Sequence, residues 1–132
     1  MILRLIILII LLNIPVDLSS QKKLQRPSAG IGIKSIDSVV TKSFDLYNQL
    51  FDYEMRVNAG EVLAEEDICQ IEEFSIHSEI LAENALHVSS YLDTEGVLKR
   101  IKGTIQLQRA KRVLTYCRQT SKEIIGKQKP GS

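Results

Sequence analysis

Asp93-Thr94-Glu95-Gly96 decides the fold, because the charge of the chain reverses across this turn. Between Glu61 and Glu95 every full charge is negative, and from Lys99 to Lys129 every full charge except Glu123 is positive. Cys69 stands before the turn and Cys117 after it, at nearly equal distances. If both flanks are helices, the turn lays an acidic helix against a basic one and brings the two sulfurs to one level. That arrangement predicts a Cys69–Cys117 disulfide, the usual use of two cysteines in a small exported chain. In the chain-entropy picture, closing so long a loop contributes on the order of 4 kcal/mol.

The helix before the turn is predicted over residues 63–92. Glu65, Glu66 and Asp67 suit its first turn, where carboxylates meet the positive end of the helix dipole. At about 100° per residue it carries two apolar lines. Ile71, Phe74, Leu81, Ala85, Val88 and Leu92 make one, and Cys69, Ile76, Ile80 and His87 make the other. A helix apolar on two sides is normally sandwiched. The second helix is therefore expected in the middle, with its Cys69 line toward the third helix and its Phe74 line toward the first. Glu65, Glu72, Glu79 and Glu83 run beside the Cys69 line, within reach of basic partners on the third helix.

The helix after the turn is predicted over residues 95–124. Val97, Leu98, Ile101 and Ile105 share one stripe, and Ala110, Val113, Leu114, Cys117 and Ile124 share another rotated from it. Gly103 lies at the switch, as a kink or change of register. Upstream, Ile33, Ile36, Val40, Phe44, Tyr47, Phe51 and Met55 recur every three or four residues, with Val39 and Leu50 widening the stripe. They predict a first helix over residues 34–57, stopped at Asn58-Ala59-Gly60 by a glycine suited to the left-handed cap. The fold expected is all-α: a small antiparallel up-down-up three-helix bundle.

Residues 1–20 read as a secretory signal peptide, with Arg4 before an apolar run and Leu18-Ser19-Ser20 at its exit. The run is short of the roughly 20 residues of a membrane span. Residues 21–33 form a flexible lead-in, 34–125 the bundle and 126–132 a disordered tail. About 110 residues remain after cleavage, enough for one small domain. The expected location is secreted or periplasmic.

Chemistry-bearing patterns are few. His77 and His87 each follow a glutamate by four residues, a spacing that places two ligands on one helix face. The two histidines nevertheless point about 80° apart on an ideal helix, so no metal is assigned and these two are the nearest candidates. No cofactor is expected. Phosphate-binding glycine loops, nucleophile elbows and zinc-protease motifs are missing from the sequence. The basic helix is the best place for a partner, with Arg109, Lys111, Arg112 and Arg118 as its binding residues and a protein or anionic surface as its target. Nucleic acid is a poor fit, since the net charge is only +1 and Tyr116 is the only aromatic in that segment. The function expected is a non-enzymatic helical interaction protein, such as an inhibitor, immunity-type protein, adaptor or signalling module. The alternative is a carrier that holds a ligand or metal in an inter-helix slot or at His77 and His87.

Overall fold

The computed structural model describes residues 23–128, together with Ile2 and Arg4. Apart from those two, the expected signal peptide lies outside the described residues, and so do the last four residues of the expected tail. The chain forms α1 (Lys34–Asn58), α2 (Glu65–Ser89), a 3-10 turn (Ser90–Leu92) and α3 (Val97–Gln128). These are the three helices the sequence predicts, and each packs against both others. Two contacts set the up-down-up order. The end of α3 meets the α1–α2 loop, where the Leu63 N–H donates to Gln128 Oε1 at 3.0 Å. The start of α3 lies beside the segment preceding α1, where Gly103 meets Ile31 and Leu92.

Each helix end has a local cause. Gly60 takes φ +88°, the Gly60 N–H donates to Val57 O at 3.0 Å, and the Glu61 N–H donates to Arg56 O at 3.1 Å. This pair of bonds is the Schellman motif, which a glycine at this position permits. At the start of α1 the Asp37 carboxylate reaches back to accept the N–H groups of Ile31 and Gly32 at 2.9 and 3.0 Å. That satisfies donors just ahead of a helix whose N-cap, Ile33, has no side-chain cap.

The core is built from Ile36, Val40, Phe44, Tyr47 and Leu50 of α1, Ile71, Phe74, Ala85 and Val88 of α2, and Leu107, Ala110, Val113, Leu114, Cys117 and Ile124 of α3. Tyr47 lies at its centre, with the rings of Phe44, Phe51 and Tyr116 at 6.3, 5.9 and 5.1 Å. Residues 23–32 cross the α1–α3 groove as a strap. The Leu24 N–H donates to the Tyr47 hydroxyl at 2.8 Å. Arg26 pairs with Asp45, the Arg109 guanidinium donates to Gln25 O, and Gln106 Nε2 donates to Ala29 O at 2.9 Å.

The structure overturns several expectations. α2 is not a central, two-sided helix: Cys69, Ile76, Ile80 and His87 are all exposed, and only the Phe74 line is buried. Cys69 and Cys117 are not bonded; Cys69 is exposed and Cys117 is wholly buried. The reason is angular. Buried Ile68 precedes Cys69 by one residue, so the Cys69 Cβ lies about 100° round the helix, out of the core that holds Cys117. The ion pairs of Arg26 with Asp45, of Arg56 with Glu61 and Asp67, and of Lys99 with Glu95 do not join α2 to α3. α3 runs unbroken through Gly103 and past Gly126 to Gln128. Gly126 costs about 1 kcal/mol relative to alanine, but Gln128 is anchored to Leu63 N and Glu61 O.

Burial pushes the Cys117 thiol up to about 12 from its ordinary 9.0, so it stays protonated and inert at pH 8. Native protein should therefore take one alkyl group, at Cys69, without reduction. The second should follow only on unfolding, with intact mass as the readout. Uptake that requires reductant would restore the disulfide. The unfolded thiol ionises near 9.0 and the folded one near 12, so its contribution to stability is full below pH 9 and is lost as pH rises toward 12.

Candidate functional site

The buried stripe of α3 begins in earnest only at Leu107. Over residues 97–106, Gly103 is the sole buried residue, and the core contact there is made by a bare backbone. The large apolar residues of this stretch face the other way. Val97, Leu98, Ile101 and Ile105 are 71, 68, 52 and 52% exposed. They lie within about 100° of one another on the helix surface, and so form one outward ridge on an inverted amphipathic segment. Surface helices normally place such residues toward the core, and contiguous apolar patches on small domains mark interaction sites.

The ridge is edged by charge. Arg100 and Lys111 run along one side and Lys102 along the other, with Arg112 beyond its end. All four are exposed and have no ion-pair partner among the described residues. The structure thus brings Lys111 and Arg112 to one surface with the apolar ridge. Arg118 is exposed two turns further on. Arg109 is placed differently: it is half-buried, donates to Gln25 O and sits 5.9 Å over the Phe44 ring. Its charge is engaged in holding the strap.

His77 and His87 are exposed and far apart, and among the described residues no cluster of three or more His, Cys, Asp or Glu side chains could hold a metal ion. His77 lines a shallow, open α1–α2 cleft of about 320 Å³ with Lys42, Asp45, Gln49, Ile80 and Asn84. This is the inter-helix slot of the carrier alternative, and Asp45 within it is already paired with Arg26.

The sequence shows the ridge residues as a stripe, and a stripe can equally be a buried face or an exposed one. The signal that separates the two is their partner face: opposite Val97, Ile101 and Ile105 the helix offers Lys99, Gly103 and Gln106, too little apolar surface to face inward. Among the described residues no helix is long and apolar enough to cross a membrane. No family model, curated protein or solved structure matches the chain.

Proposed function

We propose that this chain is a small secreted or periplasmic helical interaction protein that docks the outer face of α3 onto an acidic, partly apolar partner surface. One observation carries this reading: four large apolar side chains stand half or more exposed on the helix that also holds the concentrated positive charge. Covering them would supply the affinity, and the surrounding cations would set orientation and partner choice. The reading is of a binding surface and includes no catalytic step.

The test is an Ile101→Asp/Ile105→Asp variant. Both side chains are already exposed, so the helical signal and thermal unfolding should match the parent. Covering each isoleucine is worth about 1–2 kcal/mol, so partner affinity should fall at least about thirtyfold. Proteins captured from the exported fraction by the parent should be lost by the variant. Identical capture by both would end the reading.

A further inference from the structure

Building on that docking face, we infer that its occupant is the outer face of α2 on a second copy of this chain, joined head to tail. α2 carries the counterpart of the α3 ridge. Ile76 and Ile80 are 59 and 50% exposed, one helical turn apart, as are Ile101 and Ile105. Glu73 runs along one edge of this α2 ridge and Glu79 and Glu83 along the other, all exposed and without ion-pair partners among the described residues. Each ridge is thus apolar along its crest and charged on both flanks, negative on α2 and positive on α3.

Within one molecule the two ridges cannot meet, since each faces away from the core that joins the helices. Between two molecules they match, crest on crest and carboxylate against cation. Like ridges do not match: α2 on α2 would oppose carboxylates, and α3 on α3 would oppose cations. The charges therefore select a contact between different faces rather than a two-fold one built from a single ridge. Such a contact leaves one α2 face and one α3 face unfilled, so assembly grows with concentration until a ring closes.

Two charge-reversed variants test this: Arg100→Glu/Lys102→Glu, which reverses the α3 flanks, and Glu73→Lys/Glu79→Lys/Glu83→Lys, which reverses those of α2. All five residues are exposed, and circular dichroism checks that both variants fold. Sedimentation velocity and native mass spectrometry should show parent assemblies that grow with concentration and weaken with salt. Each variant alone should associate at least about tenfold more weakly. An equimolar mixture should then recover concentration-dependent growth, because each ridge of one variant meets an oppositely charged ridge of the other: the two native faces pair, and so do the two reversed ones. A parent that stays monomeric at submillimolar concentration and low salt would overturn the inference, as would variants that assemble like the parent or a mixture that stays monomeric. In each of those cases the Ile101→Asp/Ile105→Asp capture comparison decides separately whether α3 docks some other partner.

Discussion

Tyr47→Ala should lower the stability of this protein by about 3–5 kcal/mol, the range for deleting a large buried aromatic. Folded domains hold only about 5–15 kcal/mol in all, so the variant should be close to unfolding at body temperature. Tyr47 is 2% exposed and touches three other aromatic rings, so its removal opens a cavity where α1 and α3 meet. It also strips the Leu24 N–H of its acceptor. Tyr47→Phe separates the two effects. It keeps the ring and deletes one hydrogen bond, at a cost of about 0.5–1.5 kcal/mol. Urea denaturation of both variants reads the difference. Equal losses would mean that the hydroxyl, not the ring, anchors this part of the core.

Gly103→Leu is the second large expectation, a loss of about 1–3 kcal/mol from overpacking. Even a Cβ there would come within 2.5 Å of Leu92 Cδ2 and 2.9 Å of Ile31 Cδ1. A full isobutyl group must displace Leu92, and with it the 3-10 turn that leads into the reversal at residues 93–96. Gly103→Ala should be close to neutral. Its gain of about 1 kcal/mol in helix propensity offsets the movement of two flexible side-chain ends. Thermal unfolding of the pair distinguishes a packing glycine from a kink: a kink would make the alanine variant costly as well.

Helix positions are largely legible in this sequence, because the charge reversal, the stop at Gly60 and the spacing of Ile36 to Leu50 are local signals. The inward lines of α2 and of the later part of α3 are legible for the same reason. Periodicity, however, reports that residues share a face and not what covers the face. Cys69, Ile76 and Ile80 share a face as truly as Ile71 and Phe74 do, and so do Val97, Ile101 and Ile105. Which stripe a helix buries depends on the volume its neighbours offer. Three helices of this size have one core to fill, and Phe44, Tyr47, Leu50, Phe74 and Leu114 fill it. The disulfide expectation failed with the same step, since it needed the second α2 stripe to face α3. The partner surface was legible in its charge and illegible in its apolar crest.

The strap over α1 and α3 behaves as a latch with its own opening equilibrium. Its backbone belongs to no helix, and it is held by side-chain contacts at Tyr47, Asp45, Arg109, Gln106 and Asp37. It can therefore lift while the three helices stay intact, at a lower free energy than global unfolding. Each lifting bares a furrow beside Phe44, Phe51 and Tyr47 that the closed molecule lacks. The strap directly follows the N-terminal apolar run in the chain, so a force or a cut applied to that run acts on the free end of the latch.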